Sequence, residues 1–167
     1  MLGLAWGQEH STEYGLGRSP SEQEIRAWDI DVVPTGEGLP LGRGTVQKGR
    51  QIYLKKCASC HGKTGVEGPR NKLVGGRRSL RSDKPLKTVG SYWPYATTLY
   101  DYIQRAMPIT EPQSLTPNEV YSLVAWILYR NAIISEDVLI DRDSLPTVRM
   151  PNVGGFVPDP RPDVPRK

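Results

Sequence analysis

The run Cys57-Ala58-Ser59-Cys60-His61 holds both of the chain's cysteines and constrains the fold more than any other stretch. C-x-x-C-H is the spacing of c-type haem attachment. Two thiols add across the two vinyl groups of one haem, and the adjacent imidazole ligates the iron. Other uses of two cysteines fit less well. A structural zinc site takes four ligands, and beyond the motif the chain offers only His10. A thioredoxin-like redox pair needs a βαβ setting, and no strand-rich segment precedes Cys57. A disulfide across two intervening residues would close a very small loop and add little stability.

A chain of 167 residues with 37% hydrophobic and 8% aromatic content is thin for its length, and 17 Gly and 15 Pro are many for a compact α domain. The reading is a small core centred on one covalent haem c, which supplies part of the apolar interior, with long irregular extensions. Charge is unevenly spread: residues 43–87 carry 13 basic and 2 acidic side chains, residues 1–42 carry 2 and 7, and residues 88–167 carry 7 and 9. The basic block brackets the haem peptide and suits the steering of an acidic redox partner. Nucleic acid is not expected, because no groove-reading motif accompanies the charge. No apolar run approaches the ~18 residues of a membrane span. The opening Met1–Gly7 lacks a basic start and does not read as a complete signal peptide. Covalent haem is attached outside the cytoplasm, so an export signal is expected to have preceded the chain, and the expected compartment is the periplasm.

Local signals outline an all-α protein. Ser21 and Glu24 form a capping-box pattern that predicts a short helix over 21–28 carrying Ile25 and Trp28. Pro34 to Gly44 reads as loop. A first core helix is predicted from Thr45 to Cys57, with Val46, Gly49, Ile52 and Tyr53 on one side. Gly49 lets it approach a later helix, and Tyr53 is expected to pack on Trp126. A second runs from Ala96 to Ala106 with Leu99, Tyr102, Ile103 and Ala106 on one face, ending at Met107-Pro108. The third has the clearest start: Thr116 as N-cap, Pro117 at the first position and Glu119 completing the box. Val120, Leu123, Val124, Ile127 and Leu128 then repeat with helical period to about Asn131. These elements divide the chain into an N-terminal extension (1–44), a haem domain (45–132) and a Pro-rich C-terminal extension (133–167) lying across the domain.

For iron, His61 is one axial ligand. An electron carrier wants a second strong one, and a thioether raises the potential. Besides Met1, the methionines are Met107 and Met150. Met107 is preferred, because the loop between second and third helices faces the haem opposite the histidine in a small three-helix cytochrome. Met150, in the tail, is the alternative. The histidine ligand needs an acceptor for its second ring nitrogen, and the Pro69 carbonyl is expected to serve. Tyr92, Trp93 and Tyr95, in a cluster that begins at Ser91, are candidates for the haem propionates, with Arg77 and Arg78 as alternatives.

Residues 45–131 resemble a class I cytochrome c domain through Gly49-x-x-x-Tyr53, Cys57–His61, Gly68-Pro69, Met107-Pro108 and Leu115–Glu119. A narrower similarity covers nearly the whole chain. Ala27–Val32, Thr88–Leu99, Met150-Pro151-Asn152 and Gly155-Phe156 look like the cytochrome subunit of sulfur dehydrogenase, although some members of that family carry a second haem domain. The resemblance implies a three-helix haem fold and a periplasmic electron-transfer protein with no substrate chemistry of its own. It also implies a molybdenum sulfite or sulfur dehydrogenase as donor, and a terminal oxidase or another cytochrome as acceptor. Two other readings stand beside it: a haem enzyme oxidising a sulfur compound at a labile sixth site, and a scaffolding subunit of the dehydrogenase.

Overall fold

Thr45 and Thr116 start the two helices that organise the molecule. A computed structural model describes residue 14, residues 16–159 and residue 161. Thr45 caps α2 (Val46–Lys56; α1 is introduced below), its side chain accepting from Lys48 N–H. Thr116 and Glu119 form the predicted capping box at the head of α5 (Pro117–Arg130). Each cap satisfies amide groups that a helix start leaves unpaired. The two helices cross at Gly49, where a Cβ would collide with the Ser122 carbonyl. Beside that crossing Tyr53 meets Trp126 with ring centroids 6.1 Å apart, as expected.

Between them lie the single turn α3 (Ala58–His61) and α4 (Ala96–Ala106). α5 is buried along its whole middle, every residue from Val120 to Leu128. A stripe was expected, but a helix enclosed on several sides buries all its faces. Residues 62–95 between α3 and α4 contain only a 3-10 turn, Ser79–Arg81. They are knitted by side chains instead. Thr88 Oγ1 donates to Gly75 O (2.6 Å), Ser91 Oγ to Leu86 O (2.6 Å) and Ser79 Oγ to Gly76 O (2.6 Å).

Two short strands were not anticipated: β1 (Arg43–Thr45) and β2 (Leu139–Asp141) pair antiparallel, Gly44 opposite Ile140. Three residues are too few to leave an alternating pattern. The expected breaks at 44/45 and 132/133 therefore do not coincide with a change in packing. Val32 and Leu39 before the haem domain, and Ile140, Leu145 and Met150 after it, sit in the same buried cluster as α5. Polar ties reinforce this: Val32 N–H donates to Asp101 (3.0 Å), Tyr121 OH to Pro40 O (2.9 Å) and Asn152 Nδ2 to Tyr92 O (2.7 Å). The larger compact unit begins at Asp31. The preceding unit contains α1 (Glu22–Trp28), whose capping box is formed as predicted and which buries none of its residues. Among the described residues no helix is long and apolar enough to cross a membrane.

Candidate haem site

α2 ends by delivering Cys57, whose N–H bonds Tyr53 O at 2.9 Å. The Cys57 carbonyl then accepts from Cys60 N–H (3.1 Å) and His61 N–H (3.0 Å), closing α3. One turn thus carries both thiols and the imidazole, which is what a single porphyrin edge and its iron require. Gly62, at φ +80°, ends the turn. Its carbonyl accepts the Tyr53 hydroxyl at 2.9 Å, which ties the haem peptide back to α2. Both cysteines are free and half-buried. Burial pushes the Cys57 thiol up to about 11.

The loop after the motif orients the ring. Arg70 N–H donates to Cys60 O at 2.9 Å, and His61 Nδ1 lies 2.8 Å from Asn71 O. A carbonyl only accepts, so Nδ1 carries the proton and Nε2 presents its lone pair for iron. The acceptor is therefore Asn71 rather than the expected Pro69. The Arg70–Cys60 bond turns the chain so that the carbonyl one residue later meets the ring, and Pro69 stays exposed. Thr64 stiffens the same loop by donating to Glu67 from its hydroxyl (2.5 Å) and its N–H (3.0 Å). The Thr64 hydroxyl above all holds the Glu67 carboxyl down at about 2.

Leu73, Trp93 and Met107 pack on the core while remaining partly exposed. Tyr102 stands edge-on to Trp93, centroids 5.6 Å apart, and is 47% exposed. Sequence reading had placed Tyr102 on the core face of α4. The buried aromatic there is Tyr100, whose ring centroid lies 4.5 Å from that of Tyr121. The buried face of α4 is made by Ala96, Thr97, Leu99, Tyr100 and Ile103, and at about 100° per residue its centre lies on the Tyr100 side, which leaves Tyr102 beyond its edge. Tyr92 turns toward the tail, edge-on to Phe156 at 5.3 Å and under the Lys87 ammonium. Ser91 spends its hydroxyl within its own loop. Tyr95, at the N-cap of α4, is 39% exposed and makes no capping bond with its side chain. Arg77 and Arg78 are exposed. Met107 is the C-cap of α4, and Met150 is sealed in the core at 1% exposure. His10 lies outside the described residues. The bonding of Asn131 was not foreseen: its amide donates to Leu73 O (3.1 Å) and Ile127 O (2.9 Å) and accepts from Gly75 N–H (3.1 Å), clamping residues 73–75 to the end of α5.

The donor set fits covalent haem c. Two unpaired thiols share one turn, an imidazole is fixed through Nδ1, and large apolar side chains stand half-covered at the edge of the core. Helices and site together define a class I c-type cytochrome. Residues 44–127 match the family described as Cytochrome C oxidase, cbb3-type, subunit III, and the chain belongs to this cytochrome c family. It is similar to the crystal structure of the sulfane dehydrogenase SoxCD from Paracoccus pantotrophus, at 42% identity and TM-score 0.82 over 89% of this chain and 74% of that one. A slighter likeness is to the thiosulfate dehydrogenase TsdBA from Marichromatium purpuratum: 26% identity and TM-score 0.37 over 50% of this chain and 17% of that one, too little to build on. No curated protein matches the chain.

Proposed function

We propose that the protein is a periplasmic monohaem cytochrome that accepts electrons from a molybdenum-dependent sulfite or sulfur dehydrogenase and passes them to a terminal oxidase or another cytochrome. The observation that carries this is the fixed imidazole of His61 beside two free thiols, in a chain 42% identical over most of its length to a sulfane dehydrogenase chain. Haem c, when bound, supplies a one-electron couple. Cys57 and Cys60 hold it, and His61 faces iron through Nε2 while Asn71 fixes its orientation. Met107 supplies the thioether, which favours the reduced state. Its partly exposed place at the end of α4 supports it over Met150, which is fully committed to the core. Trp93, Tyr102 and Tyr95 surround the cofactor, and no chain group is required to take part in bond making.

The basic block is the docking face. Lys48, Lys55, Lys63, Lys84 and Lys87 are exposed, and among the described residues only Lys56 of this block meets a carboxylate, Glu119 at 3.1 Å. Unpaired surface cations steer an acidic partner, and salt weakens that steering. Reduction by the dehydrogenase is expected to slow as ionic strength rises, and the ferric protein is expected to show a thioether-to-iron band that Met107→Ala abolishes. A rate indifferent to salt removes the docking face. A wild-type protein that lacks the band and binds carbon monoxide rapidly in the ferrous state would establish an open sixth site and end the electron-carrier reading.

A further inference from the structure

A concavity of about 580 Å3 lies where the tail returns to the loop between α3 and α4. Its wall includes Arg77, Arg81, Ile133, Arg149, Met150 and Asn152, and none of Cys57, Cys60, His61, Trp93 or Met107 lines it. Of the residues considered for haem, Arg77 and Met150 alone border it, and Met150 is sealed in the core.

Three stretches of chain bring one arginine each to this space. Arg77 follows Gly75-Gly76, Arg81 ends the 3-10 turn, and Arg149 precedes Met150. No carboxylate lines the wall, and among the described residues none of the three arginines forms an ion pair. The frame that carries them is anchored. Ser79 Oγ donates to Gly76 O at 2.6 Å and accepts from Leu86 N–H at 3.0 Å, fixing the turn between Arg77 and Arg81. Met150 is buried beside Arg149, and Asn152 Nδ2 holds the tail to Tyr92 O at 2.7 Å. Like charges gathered on such a frame repel one another until an anion enters. The guanidinium fork matches the spacing of oxygens on a carboxylate or tetrahedral oxyanion, which makes arginine the usual residue for this task.

We propose that this concavity binds a small, doubly charged tetrahedral oxyanion of the sulfate, thiosulfate or phosphate class. The site is independent of the electron-transfer reading, since Arg81 and Arg149 have no part in holding haem there. Arg77 is also a candidate for a haem propionate and is left unchanged in the test.

The haem-loaded full chain is titrated calorimetrically with sodium sulfate, thiosulfate and phosphate, with ionic strength held constant by sodium chloride. Saturable binding of at least one anion is expected, weakened about tenfold or more in Arg81→Gln and in Arg149→Gln and unchanged in Lys48→Gln. A preference for thiosulfate over the other two would identify a sulfur oxyanion as the ligand. Equal affinities would identify tetrahedral geometry and charge alone as the basis of recognition. Both arginines are exposed, and an unaltered haem spectrum confirms that each variant is folded. The proposal is overturned if none of the three anions saturates below ~20 mM, as would follow if the propionates already neutralise the arginines. It is overturned equally if both arginine variants bind as the wild type does.

Discussion

The two segments that flank the haem domain contrast in a way their local sequences disguise. Residues 16–30 hold a well-signalled helix with a complete capping box, yet α1 buries nothing: Trp28 is 85% exposed and Ile25 48%. Residues 133–159 have no helical period and several prolines, yet they place Ile140, Leu145 and Met150 at 1%, 0% and 1% exposure. A capping residue contributes about 1 kcal/mol and acts within one turn. Burying one Leu or Met side chain contributes about 1.5–3 kcal/mol wherever along the chain it lies. Helix signals therefore report local order, and isolated apolar anchors decide which segment joins the core.

The strongest way to break this contrast is a matched pair of truncations in side-chain size. Leu145→Ala is expected to destabilise by about 3 kcal/mol, because it leaves a cavity in packed surroundings. Ile25→Ala is expected to stay within about 0.5 kcal/mol. Urea unfolding followed at the haem measures both. An unchanged midpoint for Leu145→Ala would return the tail to the status of an appendage. The two methionines sharpen the same point. Met150→Ala is expected to cost about 2–4 kcal/mol while the ferric thioether band persists. Met107→Ala is expected to lose the band with a smaller loss in midpoint. A band lost only in Met150→Ala would exchange their roles.

How much of this was legible beforehand follows the same division. Helices α1, α2, α4 and α5 lie within a residue of where caps and periodicity put them, since a cap and its first turn are contiguous in sequence. Cys57, Cys60 and His61 were legible for the same reason, being one turn of chain. What escaped depends on closure between distant residues. β1 and β2 pair across about a hundred residues of chain. The His61 acceptor is Asn71 because a backbone bond from Arg70 to Cys60 sets the turn. Tyr102 was misplaced because the buried face of α4 is centred toward Tyr100, to one side of the stripe that Leu99 and Ile103 suggest. Asn131 looked like a helix end, and its two bonds to the loop, at Leu73 O and Gly75 N–H, exist only once that loop has folded back.

Asn131 marks where the domain hands over to the tail, and its loss should fall between the extremes above. Asn131→Ala strips a buried amide whose partners, Leu73 O and Gly75 N–H, then lack it. Leaving such groups unsatisfied costs about 1–3 kcal/mol. Hydrogen exchange is the suitable probe, with faster exchange expected at Gly75 than in α1, where nothing depends on Asn131. Uniform acceleration along the chain would mean that the residue supports overall stability only.

Acid separates the two regions in a different manner. The Arg18 guanidinium holds the Glu24 carboxyl at about 2, whereas in the tail the Ser144 N–H above all lowers Asp141. A carboxyl lowered on folding stabilises fully above its unfolded pKa and loses that contribution as pH falls through the folded value. Helix α1 should therefore fray between about pH 4.5 and 2 without moving the unfolding midpoint of the haem domain. The Asp141 turn, by contrast, should lower that midpoint as it protonates below the usual carboxylate range. Thermal unfolding at pH 6 and pH 3 tests this. Glu24→Gln should leave the difference as it is in the wild type, and Asp141→Asn should shrink it.

The smallest expected effect sits at the joint itself. α5 closes with Ala132 N–H bonded to Tyr129 O (2.8 Å) and Ile133 N–H to Leu128 O (3.0 Å), the paired pattern of a Schellman turn. Glycine usually holds the left-handed position of that turn, but here Ala132 does, at φ 53°. A Cβ in that conformation costs roughly 1–2 kcal/mol, while glycine forfeits about 0.5–1 kcal/mol of backbone entropy on folding. The balance favours Ala132→Gly by about 0.5 kcal/mol, read as a slightly higher urea midpoint at unchanged slope. Ala132 is followed by Ile133, which packs partly against the core. A loss of stability in place of the gain would mean that the Ala132 methyl is itself an anchor, and that the core extends without a break from α5 into the tail.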